Sequence, residues 1–356
     1  MTSLDPKSLP LSRYLPRRAV RLPTTEKRHA AIPCVDIHNH LGKWLTGDGT
    51  WMTPDVAELI RIMDRCQVDH IVNLDGRWGT ELQENLERYD LAHPGRFSTF
   101  CHVDFRVLAE RGNATQTLVD QLHEAAKVGA RGLKVWKNLG LEFRDQRGEL
   151  VLPDDDRVAP VFDAAAELDL PVLIHTADPV AFFEPIDQHN ERIEDLATNP
   201  DWWFGKPGLP TFDRLIDALE AVVAGHPRTT FIAAHVGCAA EDLRRVSRML
   251  TAYENLHVDL GGRMPELGRQ PRAARRLIVD HPRQVLFGTD LYPVVEQEYH
   301  RWFRFVETDD ECFGYAPDDE IPPMGRWDIS ALDIPASHLA ALYAGNARRI
   351  LRLPVS

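Results

Sequence analysis

"CVDIHNHLG", residues 34–42, runs from an apolar stretch into two histidines one residue apart and then a glycine. In an extended strand residues i and i+2 share a face, so His38 and His40 project to one side. Two imidazoles placed together repel when protonated, and each needs a hydrogen-bond partner. A metal ion satisfies both, because neutral imidazole is its commonest ligand. Two surface histidines at a strand end would read the same locally, so the rest of the chain has to decide.

Seven further runs share the form of this one. After "IPCVDIH" (32–38) come "HIVNLD" (70–75), "FSTFCHVDF" (97–105), "RGLKVWK" (131–137) and "PVLIHT" (171–176), then "TTFIAAHV" (229–236), "NLHVDLG" (255–261) and "QVLFGTD" (284–290). Most are apolar on both faces, as parallel strands covered by helices should be. Amphipathic segments separate them at 53–66, 80–93, 114–129, 157–169, 211–226, 240–253 and 270–281, and a last one spans 336–353. Strands alternating with helices in this way predict an α/β fold, a (β/α)8 TIM barrel over 32–356. Residues 1–31 read as an extended, proline-punctuated arm. Two stretches break the rhythm, 177–210 after strand 5 and 305–335 after strand 8. Long loops at those places are expected to act as lids or walls of a site.

The formal net charge is −13, from 54 acidic and 41 basic residues. That argues against nucleic acid or an anionic membrane as the main partner, since both need a basic face. Five scattered cysteines, Cys34, Cys66, Cys101, Cys238 and Cys312, form no C-x-x-C pair. They fit a reducing compartment, and four of them sit in or beside apolar runs as small hydrophobes. No signal-like apolar core and no run of membrane-spanning length is seen, so the expectation is a cytoplasmic protein.

Barrel enzymes assemble their chemistry where strands end, at the C-terminal face. His38 and His40 lie at the end of strand 1, His175 ends strand 5, His235 ends strand 6 and Asp290 ends strand 8. Placement of all five at one rim is not what isolated core histidines would give. Three imidazoles and a carboxylate leave one coordination position open, as a catalytic zinc site should. A metal there would lower the pKa of water to about 7.

The set resembles the amidohydrolase superfamily. "DIHNHLG", "RGLKVWK", "LIHTADP", "AAHVG", "FGTD" and the closing "GNARRIL" look like its amidohydrolase-related branch, which also holds aminocarboxymuconate-semialdehyde and resorcylate decarboxylases. The resemblance covers roughly residues 32–353. It implies one divalent metal, Zn2+ ahead of Mn2+, on His38, His40, His175 and Asp290. It implies that Asp290 moves the proton of water, while His235 polarises a carbonyl or steadies an oxyanion. Lys134 is a candidate to bridge a second metal or to pair with a substrate carboxylate, and a lysine that merely neutralises neighbouring carboxylates reads equally well. A homodimer is implied by the resemblance alone.

Arg77, Arg106, Lys137 and Arg263 follow or end strands 2, 3, 4 and 7. In an acidic chain, cations gathered near a mouth point to an anionic small molecule. Asp36 shares the parity of His38 and His40 one step deeper, where it would support a ligand. Two reactions fit these residues: hydrolysis of an amide, ester or lactone, and non-oxidative decarboxylation of an aromatic or unsaturated acid. A non-catalytic binding protein on the same barrel predicts lost ligands, and none is lost.

Overall fold

The computed structural model describes residues 5–110, 112–317 and 320–354. Eight strands alternate with helices: β1 Cys34–Asn39, β2 Val68–Asn73, β3 Phe97–Thr99, β4 Leu133–Val135, β5 Val172–Ile174, β6 Phe231–Ala233, β7 Leu256–Asp259 and β8 Val285–Leu286. All paired neighbours run parallel, in one ladder of β1 to β3 and another of β4 to β8. Backbone hydrogen bonds join the two ladders at both ends. Cys101 N donates to Gly132 O at 2.8 Å and Lys134 N to Cys101 O at 2.7 Å, joining β3 to β4. Ile37 N donates to Phe287 O at 3.1 Å and Asp290 N to His38 O at 2.8 Å, joining β8 to β1. The ring closes, and the fold is the (β/α)8 barrel that the alternation predicts.

The strands are shorter than the apolar runs that announce them. The run 97–105 yields only Phe97–Thr99, and 284–290 only Val285–Leu286. Residues beyond each ladder leave it at the rim, and there the chemistry-bearing side chains turn inward. Val35, Ile37, Val72, Leu74, Phe100, Leu173, Ile232 and Leu286, drawn from around the ring, form one buried cluster with Ala347 and Leu351 of the last helical segment. A larger apolar shell lies between strands and helices. Burial on both sides explains why the strands read as continuous rather than alternating.

The main helices are α1 Val56–Cys66, α2 Gly79–Asn85, α3 Ala114–Val128, α4 Ala159–Glu167, α5 Phe212–Gly225, α6 Leu243–Ala252, α7 Pro271–Asp280 and α8 Glu296–Glu307. Side chains of Asp55, Asn113, Thr211 and Asp242 cap α1, α3, α5 and α6 by accepting from backbone N–H groups that have no partner inside the helix. Helix α8 was not among the predicted helical segments. Its sequence, EQEYHRWFRFVE, buries Tyr299, Trp302, Phe303, Phe305 and Val306.

The two long loops meet. Arg326, in the loop after α8, pairs with Glu194, in the loop after β5, at 2.7 Å. Arg192 of the β5 loop pairs with the buried Glu266. The described part of the arm lies along α8 and the loop beyond it. Thr25 N and Oγ1 both donate to Asp310 at 2.8 Å, Lys27 pairs with Glu307 at 2.8 Å, and Ala31 N donates to Glu307 at 2.9 Å. All five cysteines are free thiols; Cys34, Cys66, Cys101 and Cys238 are buried and Cys312 is partly so. Among the described residues no helix is long and apolar enough to cross a membrane.

Candidate active site

At the rim, His38 is in β1 and His40 follows it. The Nδ1 of His38 lies 2.9 Å from Asp259 Oδ2, and that of His40 lies 2.8 Å from Asp75 Oδ1. A carboxylate only accepts, so each ring donates from Nδ1, and its Nε2 faces the centre, where a metal would take the place of any proton. Those two Nε2 atoms stand 3.4 and 3.2 Å from the same oxygen, Asp290 Oδ1. His235 donates from Nδ1 to Gly261 O at 2.8 Å. Its ring centroid is 4.8 Å from that of His38 and 4.4 Å from that of His175, so it bridges the two sides of the barrel. Donor atoms of His38, His235 and Asp290 all lie within 4.8 Å of one another. The five residues singled out in the sequence therefore meet at one place.

The backbone is bent to bring them there. His235, Val236 and Asp290 have φ of 59°, 59° and 61°. Each such left-handed residue costs about 1–3 kcal/mol and persists where its surroundings hold it. Asp259 is the holder: its Oδ1 accepts from His235 N at 3.1 Å and from Gly261 N at 2.8 Å, while its Oδ2 takes His38. A Cβ on Gly261 would stand 3.1 Å from His38 Nδ1 and 3.2 Å from Asp290 Cβ, so glycine keeps the edge of the centre uncrowded.

His38 Nε2 and His175 Nε2 are buried without a hydrogen-bond partner. Buried polar nitrogens are rarely left so. Two buried imidazole nitrogens that make no hydrogen bond, each with a carboxylate nearby (Asp290 3.4 Å from His38 and Asp178 3.3 Å from His175), fit a divalent cation. Burial disfavours ionised Asp290, yet the His38 and His40 rings hold its carboxyl well below the usual carboxylate range. Burial also opposes charge on His40, but Asp75 and Asp290 push it up to about 9. In His235 burial wins, and His175 beside it adds to the effect, so the ring is held neutral. A neutral His235 with its proton on Nδ1 has only an acceptor to offer at Nε2.

The flanking cations divide. Lys134 is buried, its Nζ has no hydrogen-bond partner and sits 4.7 Å over the Trp136 ring, and burial pulls it down to about 8. Arg77 lies over Trp44 and Trp78, at 4.9 and 4.2 Å, with Nε unpartnered. Arg263 is buried, and among the described residues its guanidinium donates only to Gly262 O, at 3.1 Å, and pairs with no carboxylate. The other two are not brought to the centre with free charge. Arg106 is largely exposed and clamped bidentately by Asp104 at 2.7 Å, two residues away. Lys137 is paired with Asp178, which also stands 3.3 Å from His175 Nε2. Asp36 touches no histidine ring. It accepts from Thr289 N and Oγ1 at 2.9 and 2.6 Å and from Tyr299 OH at 2.9 Å, tying β1 to the turn after β8 and to α8.

A sequence profile of the amidohydrolase family matches residues 82–353. The chain belongs to the amidohydrolase family. Among solved structures, it resembles a dihydroxybenzoic acid decarboxylase from a Polaromonas species with bound manganese, at 13% identity and a TM-score of 0.56, over 91% of this chain and 98% of that one. An amidohydrolase from Burkholderia multivorans with bound zinc matches at 16% identity and a TM-score of 0.52, over 90% and 100%. A probable 2-pyrone-4,6-dicarboxylic acid hydrolase from Acinetobacter baumannii matches at 11% identity and a TM-score of 0.51, over 90% and 100%. No curated protein matches the chain. Family membership makes this amidohydrolase a metal-dependent enzyme.

The matched span of the amidohydrolase begins after His38 and His40, so those two rest on geometry alone. Sequence reading passed over Asp75, Asp259 and Asp178, although all three stand at or just past strand ends, where His175 and Asp290 were found. The rule that located the histidines would have located them too. Tyr292, whose ring is 5.8 Å from that of His40, follows Asp290 by two residues and carried no such signal.

Proposed function

We propose that the chain hydrolyses a small carboxylate-bearing amide, ester or lactone, with water as the nucleophile. The observation that carries the reading is the setting of Asp290. Its Oδ1 faces His38 and His40, while Oδ2 lies 3.9 Å from His235 Nδ1, and the side chain keeps 17% of its surface accessible. A divalent metal on His38, His40, His175 and Asp290, Zn2+ ahead of Mn2+ for a nitrogen-rich donor set, supplies Lewis acidity. Asp290 takes the proton of the attacking water and returns it to the leaving group. His235 orients that water through its Nε2 lone pair. Arg263 offers a buried guanidinium to a substrate carboxylate.

Decarboxylation is the second reading. It is favoured by the tryptophans beside the centre, which would seat an aromatic acid, and it would need Asp290 to deliver a proton to carbon. A panel of lactones, esters, amides and aromatic acids, scored for acid released against CO2 released, separates the two. In the productive assay Asp290→Asn is expected to lower turnover by about 10²–10⁴-fold, with the melting temperature unchanged. Turnover at the wild-type rate in that variant would overturn both readings.

A further inference from the structure

A chamber of about 170 Å3 opens beside the centre, lined by Trp44, Arg77, Trp78, His102, Lys134 and Trp136 among others. It borders the metal donors through one wall: Trp136 packs 5.0 Å from the His40 ring, and Lys134 Nζ sits 4.7 Å over the Trp136 ring. Its volume is below the roughly 300 Å3 from which ordinary ligand pockets start, so it has room for one ring and a small substituent.

Its polar groups are unpaired in an unusual pattern. The Lys134 ammonium, 1% exposed, has no hydrogen-bond partner, and neither has Arg77 Nε. Arg77 reaches Glu81 only at 4.0 Å, and its Nη1 donates to His102 Nδ1 at 3.3 Å. His102 is committed on its other side, where Nε2 donates to Leu74 O at 2.6 Å. It is therefore neutral and offers the chamber no negative charge. Of the two carboxylates lining the chamber, Asp104 is clamped to Arg106 and Glu142 accepts from Asn138. Asp290 and Asp259 act on Lys134 only through space, and a buried cation that makes no hydrogen bond costs several kcal/mol unless something anionic joins it directly. The walls are indole faces: Trp44 and Trp136 meet at 4.4 Å, and Arg77 lies over Trp44 and Trp78.

We propose that this chamber is a substrate subsite that receives a planar ring bearing an anionic group, with Lys134 and Arg77 on the charge and the tryptophans on the ring. The inference rests on the reading that the centre acts on an anionic small molecule. It narrows that molecule to one carrying an aryl or heteroaryl acid at the end remote from the bond that reacts. Neither cation acts in the chemical step; both position the substrate.

The test uses the metal-loaded protein and tryptophan fluorescence titration with benzenesulfonate, a planar anion that ligates metals poorly. Cyclohexanesulfonate is the non-planar control and methyl phenyl sulfone the uncharged one. Benzenesulfonate is expected to bind at least tenfold more tightly than either control. Arg77→Met and Lys134→Met should each remove that preference, and Arg77→Met, at a partly exposed site, keeps the test open if the lysine variant fails to fold. Asp290→Asn should bind benzenesulfonate as wild type does, so loss of turnover with intact binding separates the chemistry from the subsite. Equal affinity for the three probes, or an unchanged preference in folded Arg77→Met, would overturn the proposal.

Discussion

Asp75 and Asp259 show what a single carboxylate does behind a ligand. Each takes the Nδ1–H of one histidine of the β1 pair and leaves Nε2 as the donor. Such partners typically contribute 10–100-fold to metal affinity. Asp75→Asn can present its amide N–H to His40 and invert that tautomer. Chelator competition on that variant is therefore expected to show about 10–100-fold weaker metal binding with the fold intact, and unchanged affinity would mean that His40 is not a ligand. At this scale the sequence was partly legible. His38, His40, His175, His235 and Asp290 stood out because each ends an apolar run. Arg106 and Lys137 each found a carboxylate within reach, because a chain position does not say which partner a flexible cation will take.

Elements were more legible than side chains, because a buried parallel strand must be apolar throughout and a helix that covers it must be amphipathic. The boundaries were less so, since the residues that leave each ladder are as apolar as those inside it. β2 offers a test of its packing. His70 is buried there, donating from Nδ1 to Gly95 O at 2.9 Å, with Nε2 2.9 Å from Ser98 Oγ. Burial pulls the ring down to about 4. The unfolded chain binds a proton near pH 6.5 that the folded ring refuses until about pH 4. Stability is therefore fully present above about pH 6.5 and falls through that window, by up to roughly 1.4 kcal/mol per pH unit for this group. Urea denaturation between pH 7 and pH 4.5 should show the fall, and His70→Gln should make it shallower. An identical slope in the variant would remove His70 from the account.

For the molecule as a whole, a metal held by the folded barrel would stabilise it as well as serve its chemistry. A ligand that binds only the folded state adds about 2.7 kcal/mol when present at a hundred times its dissociation constant. Chelation is expected to lower the melting temperature, and added Zn2+ to restore it in a concentration-dependent way. A melting curve indifferent to both would argue against a metal bound by the folded barrel.

The joint between β8 and β1 bears on how the protein is made. Asp290 N bonds to His38 O, and Thr289 bonds to Asp36 across 253 residues of chain. On a ribosome, the first histidines emerge long before the aspartate that completes their company. A nascent chain therefore carries half a binding site until residue 290 has been made, with nothing to grip the ion firmly. The site comes into being only then, and products truncated before Asp290 should be inert rather than partly active.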